Sequence, residues 1–564
     1  MKFLTKLTPF ILVLTIFLSM GTTAFAAETQ LAGTSAKSDV SLLAADFDVV
    51  GTKLESEEEL PSSFSSKELG LTTPVRNQLY NTCWAYGAMA TFESVLLKKG
   101  ITTSQFSPMH LNHWGTLRED GTGWNRNYTG GGYSYIALGY LSSWQGPLLE
   151  SDYPENTAQS DFATLTNTAT KQAVANGIIY LDTGDIETVK TAIYEYGAVV
   201  GNYHVNDAYY NYQNHAYYCN HEGLQTPQLN GHAISIVGWD DNFPKENFNE
   251  SARPSENGAW LCKNSWGENW GDNGYYWISY EDYYIFDTRF GHSYTYNDFE
   301  LYDETKTLYQ NEIDGATYEF EYISNYDTLT YINVFDIDKD FSTIDRVNFE
   351  TVSQGAMYNI YSIPMKSDGT INHDINKWKT LYSGVIPYAG YHSIDVEDFK
   401  VSGDKFAIGI ELTNHNNSGN SIGVSEWLTS GGKKIFTPQS KPGQSYLFYG
   451  SGNLIDVMDF YKERLADEIG GTFVIKAVAK ETEYTIGDVD LDGIVAIIDA
   501  TLVQMSIAQK ETLTEKQMDL ADLDRDGAVS IMDATIIQQK LAGIYKDPDD
   551  NSSSGEDFGD FEDF

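Results

Sequence analysis

Cysteine and basic residues are scarce in this chain of 564 residues. Its cysteines are Cys83, Cys219 and Cys262, too few for a framework of disulfide bonds. Lys and Arg total 36 against 80 Asp and Glu, which gives a net charge of −44. A surface of this sign repels nucleic acid and anionic membranes. We therefore expect neither as a partner, and solubility together with calcium ligation explains the charge most simply.

Long apolar runs are also rare. The run from Phe10 to Met20 follows Lys2 and Lys6 and precedes the small residues near Ala26, a pattern typical of a secretory signal peptide. The run is shorter than the roughly 20 residues that a membrane span needs, which disfavours the alternative of an uncleaved anchor. No other segment is apolar enough to cross a bilayer, so we expect an exported protein without a membrane span.

The length predicts several domains, because single cores stop growing at about 250–300 residues. Changes in composition and pattern divide the chain into six segments. These are a signal peptide (1–26), a short acidic linker or pro-segment (27–59), a first α+β domain (60–295), a β-rich domain (300–480), a domain with a duplicated acidic loop (484–546) and a disordered acidic tail (547–564).

The first domain contains residues suited to nucleophilic catalysis. Cys83 lies near its start, and His232 and then Asn264 follow far downstream. A thiol is mostly protonated at neutral pH, so it needs an adjacent imidazole to form a thiolate-imidazolium pair and a third group to orient the imidazole. A buried and unreactive Cys83 is the alternative.

A helix is predicted to begin at Cys83. Apolar residues recur at helical spacing after it and end before Gly100, which follows two lysines. The partial positive charge of a helix N-terminus favours thiolate over thiol. His232 precedes a β-rich run and Asn264 follows an apolar one, so two facing strands would bring them together.

These segments resemble the active site of papain-family cysteine peptidases, and the resemblance extends from about Leu60 to about Tyr280. It implies an α+β papain-like fold and the hydrolysis of peptide bonds in proteins or peptides. It also implies three roles, with Cys83 as nucleophile, His232 as general acid and base, and Asn264 as the residue that orients His232.

The resemblance also implies substrate-binding residues. Gly131 and Gly132 resemble the glycine strand whose backbone pairs with the substrate as an added β-strand, where glycine lets another backbone approach closely. Trp266 resembles the indole that covers the hydrogen bond between His232 and Asn264. A plain core tryptophan is the alternative for Trp266.

Three features depart from the family pattern. Gln78 resembles the donor to the oxyanion, but it stands one position closer to Cys83 than the corresponding residue in relatives, so Asn77 or a reshaped loop remains an alternative. Tyr80 and Thr129 stand where the family commonly has a disulfide-bonded pair. The segment before residue 60 is also too short for the family's helical inhibitory propeptide.

The segment 300–480 alternates short apolar runs with Gly, Asn, Asp and Ser turns, a spacing that predicts an all-β sandwich. It resembles the lectin-like module that follows the peptidase in some bacterial relatives. No sugar-binding residue can be assigned, so a domain that binds carbohydrate and a domain that only packs both remain open.

Two acidic loops, Asp488–Asp499 and Asp522–Asp533, repeat the same pattern of residues. Carboxylates at loop positions 1, 3, 5 and 12 with glycine at position 6 form the arrangement that surrounds Ca²⁺ with oxygen. We predict that the first site is weaker, because position 9 is Ala496 there and Ser530 in the second. The predicted ligands are Asp488, Asp490, Asp492, Ile494, Asp499, Asp522, Asp524, Asp526, Ala528, Ser530 and Asp533.

A helix pattern follows each loop and none precedes the first, so the duplicated unit resembles a type I dockerin, a small all-α calcium-binding domain. This implies two structural Ca²⁺ ions and docking to a cohesin module of a scaffoldin, in a secreted or cell-surface complex of the cellulosome type that degrades polysaccharides. A calcium-sensing EF-hand and a purely structural calcium clip are the alternatives.

The sequence thus predicts a multidomain, secreted cysteine endopeptidase carried on a cellulosome-type scaffold. The rival hypothesis is an adhesive or carbohydrate-binding dockerin protein whose peptidase-like domain is mainly a scaffold.

Overall fold

The structure of the protein is a computed structural model in which ten stretches of the chain are described. The predicted signal peptide, residues 27–51 of the predicted acidic segment and the predicted tail 547–564 lie outside the described residues. The described stretches are 52–101, 104–220, 230–288, 291–320, 328–352, 354–413, 421–430, 433–450, 452–465 and 470–545.

The described residues form nine α-helices, most of them in the first domain and in the region of the acidic loops. They are α1 (Cys83–Lys98), α2 (Pro108–Trp114), α3 (Ser134–Ser142), α4 (Phe162–Thr166), α5 (Ile186–Tyr196), α6 (Val457–Leu465), α7 (Ile497–Ile507), α8 (Glu515–Ala521) and α9 (Ile531–Leu541).

The strands of the first domain are short except for β3, β7 and β10. They are β1 (Ser63–Ser65), β2 (Gly123–Trp124), β3 (Ala173–Tyr180), β4 (Val199–His204), β5 (Tyr210–Asn211), β6 (Ala216–Tyr217), β7 (Gly231–Asp240), β8 (Ala259–Lys263), β9 (Tyr275–Ser279) and β10 (Tyr294–Leu301).

The β-rich region contributes the remaining described strands. They are β11 (Lys306–Tyr309), β12 (Tyr318–Phe320), β13 (Thr328–Asp336), β14 (Thr343–Thr351), β15 (Met357–Ile363), β16 (Lys379–Val385), β17 (Gly390–Lys400), β18 (Lys405–Thr413), β19 (Ile422–Glu426), β20 (Leu428–Ser430), β21 (Lys433–Thr437), β22 (Ser445–Tyr449), β23 (Asn453–Asp456), β24 (Gly471–Phe473) and β25 (Ile475–Lys480).

The helix α1 is the central element of the first domain. It begins at Cys83 and ends at Lys98, and Gly100 after it has a φ of +78°. Both ends match the helix predicted from the apolar spacing. The side chains of Ala88 and Phe92 are buried in a core shared with α3, β3 and β10, so the start of α1 is held on a rigid base.

One sheet runs through both the first domain and the β-rich domain. Its order is β11-β25-β14-β17-β3-β10-β4-β7-β8-β9-β6-β5, and the two domains meet where β17 pairs antiparallel with β3. The register there places Gly390 opposite Ile179 and Tyr391 opposite Ile178. The domains are therefore joined by backbone hydrogen bonds as well as by the chain.

The β-rich domain is a sandwich, as the spacing of its runs predicts. A second sheet with the order β16-β15-β18-β13-β22-β23 packs on the β14 and β25 part of the shared sheet. Phe349 and Ile475 from one layer and Tyr331 and Ile410 from the other are fully buried in one core. The helix α6 is added to this otherwise all-β arrangement.

The region of the acidic loops is small and helical. The helices α7 and α9 follow the two loops, and α8 lies between them in sequence. Apolar side chains such as Val503 and Ile537 form a core of its own. The helices after each loop match the prediction, and α8 is an addition to it.

Candidate active site

Cys83 is the first residue of α1 and is half-buried. The backbone N–H groups of Cys83, Trp84 and Ala233 are directed at its sulfur. Burial raises the pKa of the Cys83 thiol, and these N–H groups act in the opposite direction because they stabilise a negative sulfur. Ala233 follows His232, so this contact also places the start of β7 beside the start of α1.

His232 and Asn264 lie on neighbouring antiparallel strands or directly after them. The Nε2 atom of His232 is 2.8 Å from Oδ1 of Asn264, and the backbone N–H of Ser265 donates to the same oxygen at 2.8 Å. Oδ1 of Asn264 accepts from a backbone N–H, which identifies it as the amide oxygen. Nε2 of His232 must therefore carry the hydrogen of the contact between them. Nδ1 is then the ring nitrogen that can accept a proton.

The environment of His232 is apolar. Its side chain is buried, and the ring of Trp266 lies at 4.5 Å between centroids with an interplanar angle of 30°. Burial lowers the pKa of His232 to about 4, while the hydrogen bond with Asn264 acts in the opposite direction. The indole of Trp266 thus packs on the imidazole of His232.

Burial favours the neutral forms of both Cys83 and His232. A proton that moves from the thiol to the imidazole leaves the net charge of the pair unchanged. The resulting thiolate would be stabilised by the N–H groups at the start of α1, and the imidazolium by Asn264. The arrangement therefore allows an ion pair to form within the site, against the cost of desolvation.

Gln78 lies beside the segment that holds Asn264. Its backbone N–H donates to the carbonyl of Ser265 at 2.7 Å, and its Oε1 accepts from the Ser265 hydroxyl at 2.7 Å. Its Nε2 donates to the carbonyl of Tyr80 at 2.7 Å, which leaves a second amide hydrogen. Asn77 is exposed and forms a β-bridge with Trp266.

The two predicted substrate-binding glycines have different surroundings. A Cβ on Gly131 would meet no heavy atom within 4 Å, whereas a Cβ on Gly132 would lie 2.4 Å from the indole of Trp84. Gly131 therefore leaves open space above its backbone. Gly132 is glycine because the tryptophan next to Cys83 packs against it.

A buried charged cluster behind the site was not predicted from the sequence. Glu93 on α1 is fully buried and accepts from Arg76 at 3.1 Å and from the backbone N–H of Phe106 at 2.7 Å. Lys263, the residue before Asn264, donates to the carbonyl of Thr73 at 2.7 Å. Burial lowers the pKa of Lys263 to about 8. Glu93 interrupts the apolar pattern of α1 in the sequence, and this interruption could have indicated a buried charged cluster.

Cys219, Cys262 and His204 lie in the interior of the first domain. Cys219 and Cys262 are buried, and none of the three cysteines forms a disulfide bond. This agrees with the loss of the family disulfide and with a buried Cys262. His204 is buried and accepts from the backbone N–H of Asn230 at 2.9 Å, whereas His221 lies outside the described residues.

The two acidic loops have the same backbone hydrogen bonds. The carboxylate of Asp488 accepts from Gly493 N–H at 2.9 Å, and that of Asp522 accepts from Gly527 N–H at 2.9 Å. Both glycines have a positive φ, 87° in the first loop and 86° in the second. The loops are therefore folded alike, as their sequence repeat predicts.

Carboxylates converge in each loop. Oxygen atoms of three aspartates lie within 4.8 Å of one another in both loops, which is the chemistry of a Ca²⁺ site. The aspartate at position 12 of each loop accepts backbone N–H groups at positions 2 and 9. The converging groups are Asp488, Asp490 and Asp492 in the first loop and Asp522, Asp524 and Asp533 in the second.

Some predicted ligands lie outside these clusters. Asp499 and Asp526 are not among the converging groups, and Ile494 and Ala528 offer only backbone carbonyls. Ser530 uses its hydroxyl oxygen to accept from the N–H of Met532 at 3.1 Å. The donor set of each loop still fits a hard cation, because several carboxylates face one point.

Comparison with known proteins supports three modules. Family models match a papain family cysteine protease over residues 60–289, a lectin like domain over 308–479 and a dockerin type I domain over 486–542. These are the three families that the sequence motifs resemble, so that prediction is confirmed.

Two solved structures are similar to about three quarters of this chain. One is a variant of the clostridial cysteine protease Cwp84 after propeptide cleavage, with 32% identity and a TM-score of 0.66, covering 75% of this chain and 100% of that chain. The other contains the cysteine protease and lectin-like domains of Cwp84, a surface layer associated protein of Clostridium difficile. It has 31% identity and a TM-score of 0.65, and covers 77% of this chain and 90% of that one.

Curated relatives match about two fifths of the chain. Mouse cathepsin K is 27% identical over 223 residues, and cathepsin S of Bos taurus is 28% identical over 226 residues. The alignments cover 39% and 40% of this chain but only 60% and 61% of those proteins, so the chain spans about three fifths of their length.

The chain belongs to the papain family of cysteine proteases, and it joins that domain to a lectin-like domain and a type I dockerin. Within the described part of the chain, no helix has both the length and the apolar character that crossing a membrane requires.

Proposed function

We propose that this protein is a secreted cysteine endopeptidase that docks through its dockerin to a cohesin of a cellulosome-type scaffold. The observation that supports the catalytic part best is the 2.8 Å hydrogen bond between His232 and Asn264, next to a sulfur held by N–H groups at the start of α1. A protein used only as a scaffold has no need of this combination.

The proposed reaction proceeds through a thioester. Nδ1 of His232 takes the proton of the Cys83 thiol, and the thiolate attacks the peptide carbonyl carbon. The protonated His232 then gives the proton to the leaving amine as the C–N bond breaks. In the second half, His232 takes a proton from water as the water oxygen attacks the thioester carbon. The C–S bond then breaks, the acyl part leaves as a carboxylic acid, and the Cys83 sulfur takes the proton back from His232. Asn264 keeps His232 in the required tautomer throughout.

The carbonyl oxygen becomes negative in both halves of the reaction. The N–H groups at the start of α1 and the second Nε2 hydrogen of Gln78 are the proposed donors to this oxygen. Removing one such donor typically costs about 2.7–4 kcal/mol of transition-state stabilisation. Gln78 is favoured over Asn77 because its hydrogen bonds with Ser265 hold it beside the segment of Asn264.

A covalent-labelling experiment tests the catalytic proposal. An epoxysuccinyl peptide should alkylate Cys83 in the reduced wild-type protein, with the added mass located on the Cys83 peptide by mass spectrometry. His232→Ala should not be labelled, whereas His204→Ala, which changes another buried histidine, should be labelled as the wild type is. Absence of labelling in the wild type would favour the scaffold hypothesis.

Calcium is proposed as the structural ion of the dockerin. Asp488, Asp490 and Asp492 would hold it in the first loop, and Asp522, Asp524 and Asp533 in the second. When bound, the ion neutralises carboxylates that otherwise repel one another. Chelation should therefore unfold the dockerin and leave labelling of Cys83 unchanged, which circular dichroism and mass spectrometry can follow in one sample.

Exposed apolar residues support the docking proposal. Ile497 and Ile498 begin α7, Ile531 and Met532 begin α9, and between 56% and 59% of each side chain is exposed. Since the two loops are folded alike, these pairs occupy equivalent positions on two similar surfaces. A cohesin could bind either surface, which would give two orientations of the complex.

Paired substitutions test this docking. Ile497→Asp with Ile498→Asp, or Ile531→Asp with Met532→Asp, should each leave binding to a panel of type I cohesins, because one surface remains. The four changes together should abolish binding measured by calorimetry. Ile544→Asp, a change at another exposed apolar residue, should have no effect. Complete loss from one pair alone would show a single orientation.

Export is proposed from the predicted signal peptide and the dockerin, and Cwp84 is itself described as surface layer associated. A fusion of residues 1–30 to a reporter enzyme would test export. Cleavage near Ala27 and appearance of the reporter in the medium are the expected results.

A further inference from the structure

A hairpin of the lectin-like domain crosses onto the peptidase domain. Strands β20 and β21 pair with each other, and β21 also pairs antiparallel with β2, which places Phe436 opposite Trp124. Beyond the strand, the N–H of Asn125 donates to the carbonyl of Ile435 at 2.9 Å, and its side chain donates to the carbonyl of Lys434 at 3.0 Å. The backbone just before the glycine segment, residues 130–132, is therefore hydrogen-bonded to the lectin-like domain.

Three aromatic rings extend this contact toward the glycine segment. Phe436 is fully buried and its ring lies 4.7 Å from that of Trp124, which is 1% exposed. The Trp124 ring lies 6.0 Å from the ring of Tyr133, which follows Gly132 and is 40% exposed. The row thus begins inside the lectin-like hairpin and ends on a ring that is open to solvent.

Arg126 continues the same connection through hydrogen bonds. Its guanidinium donates to the carbonyls of Gly130 and Gly131, both at 2.9 Å, and its carbon lies 5.1 Å from the centre of the Trp84 ring. Further donors reach the carbonyl of Asn112 at 3.0 Å and its side chain at 2.8 Å. Burial lowers the pKa of Arg126 to about 10, so it stays charged at neutral pH.

Besides Arg126, the side chain of Asn112 donates to the carbonyl of Tyr128 at 2.8 Å, and the N–H of Gly130 donates to the carbonyl of Asn127 at 2.9 Å. Residues 125–133 form neither helix nor strand, and the backbone at Gly131 is open on one side. A planar guanidinium with five donors fixes several carbonyls at once, which a lysine cannot do. Arg126 thus links these carbonyls to the backbone that directly follows β2, the strand with which β21 pairs.

We infer that the hairpin β20–β21 of the lectin-like domain is a positioning element of the peptidase, with Phe436 and Arg126 as positioning residues for the substrate-binding backbone at Gly131. The lectin-like domain is then part of the machinery that binds an extended peptide. This inference rests on the proposed function, since it takes Gly131 to pair with the substrate.

The test compares two reagents on the same cysteine. Iodoacetamide reacts with Cys83 without using the glycine segment, whereas an epoxysuccinyl peptide must first bind along it. Phe436→Ala should lower the second-order rate of inactivation by the peptide at least about tenfold, because a misplacement of about 1 Å can cost about 100-fold. The rate with iodoacetamide should stay within about twofold of the wild type, since no group around the sulfur is changed.

Two further variants separate positioning from folding. Phe448→Ala removes another buried phenylalanine of the lectin-like domain, packed on Trp378 in a different cluster, and should affect neither rate. Arg126→Lys keeps the charge but loses most donors, so it should reproduce the effect of Phe436→Ala. With a peptide substrate both positioning variants should raise KM more than they lower kcat.

Four results would overturn the inference. Equal loss with both reagents, or equal loss in Phe436→Ala and Phe448→Ala, would assign Phe436 a role in folding alone and overturn the inference. Unchanged rates in Phe436→Ala would overturn it as well. A wild-type protein that reacts with iodoacetamide but not with the peptide reagent would contradict the proposed function itself, and the inference with it.

Discussion

The candidate active site takes Cys83, His232 and Asn264 from three separate parts of the first domain, whereas each acidic loop takes its carboxylates from one short continuous segment. In the first case, α1, β7 and β8 must all be packed before the groups meet. In the second, a local turn is sufficient to bring the carboxylates together. The candidate active site therefore depends on the tertiary structure, whereas the acidic loops depend on local sequence.

The two regions also differ in the charge of their ionisable groups. Burial favours the neutral forms of Cys83 and His232. In the first loop, desolvation and the charges of Asp499 and Asp492 raise the pKa of Asp488. Such a group of carboxylates is unfavourable without a cation. Substitutions that affect one region and spare the other therefore test the difference.

The largest expected effect is that of His232→Ala on catalysis. Loss of the residue that moves every proton should lower kcat about 10⁴-fold or more. The midpoint of the calcium-dependent unfolding of the dockerin should not change, because no loop residue is touched. A matched change at His204 should leave kcat nearly unchanged. Loss of kcat in both variants would indicate general damage to the β4 and β7 strands.

The next effect concerns stability and pH at Asp282. This buried carboxylate accepts three backbone N–H groups, yet burial raises its pKa to about 7 from 3.8. The folded state therefore holds a proton that the unfolded chain has already lost between those pH values. Stability should fall with rising pH across this window, by about 1.4 kcal/mol per pH unit, and should level off above about pH 7.

Asp282→Asn, which is neutral at every pH, should remove this slope. Urea unfolding at several pH values, in a Cys83→Ser background that prevents self-digestion, measures the difference between the two proteins. Other titrating groups cancel in that difference, and a lost hydrogen bond would shift it by the same amount at each pH. Parallel curves would show that Asp282 is ionised throughout.

A smaller effect is expected for the oxyanion donor. Gln78→Ala should lower kcat by about 100- to 1,000-fold with little change in KM. Gln78→Glu keeps an acceptor for Ser265 but loses the amide hydrogens, so it should be equally impaired. Asn77→Ala should have a minor effect. The opposite pattern, with Asn77→Ala the impaired variant, would assign the donor to Asn77.

The smallest effect separates the two loops. Asp522→Ala leaves only the first site, and Asp488→Ala leaves only the second. We expect the first site to bind calcium about threefold more weakly, a difference that corresponds to the net free energy of roughly one hydrogen bond. Ala496→Ser should reduce that difference. Calorimetric titration gives both constants, and equal affinities would contradict a role for position 9.

Local patterns were readable from the sequence. The start of α1 at Cys83, the strand after His232 and the helices after each loop follow from periodicity and breaker residues. The two acidic loops were predictable because their aspartates, their glycine and their repeat all lie within short stretches. The three families were recognised for the same reason, since their motifs are local.

Contacts between distant segments were not readable. Nothing near Arg126 in sequence indicates that it holds the carbonyls of Gly130 and Gly131, because its charge looks like that of any surface arginine. The pairing of β17 with β3 joins two strands that lie in different domains, and no local pattern sets its register. The strand β10 likewise crosses position 295, where the sequence suggested that the first domain ends.

The strand β25 determines how a tethered molecule would carry mechanical load. It ends at Lys480, shortly before the first calcium loop, and it is hydrogen-bonded to β11 on one side and to β14 on the other. A pull on an anchored dockerin would therefore enter the body of the protein through an interior strand, where two rows of hydrogen bonds resist together. Under such a load, the dockerin is expected to unfold before the peptidase domain is disturbed.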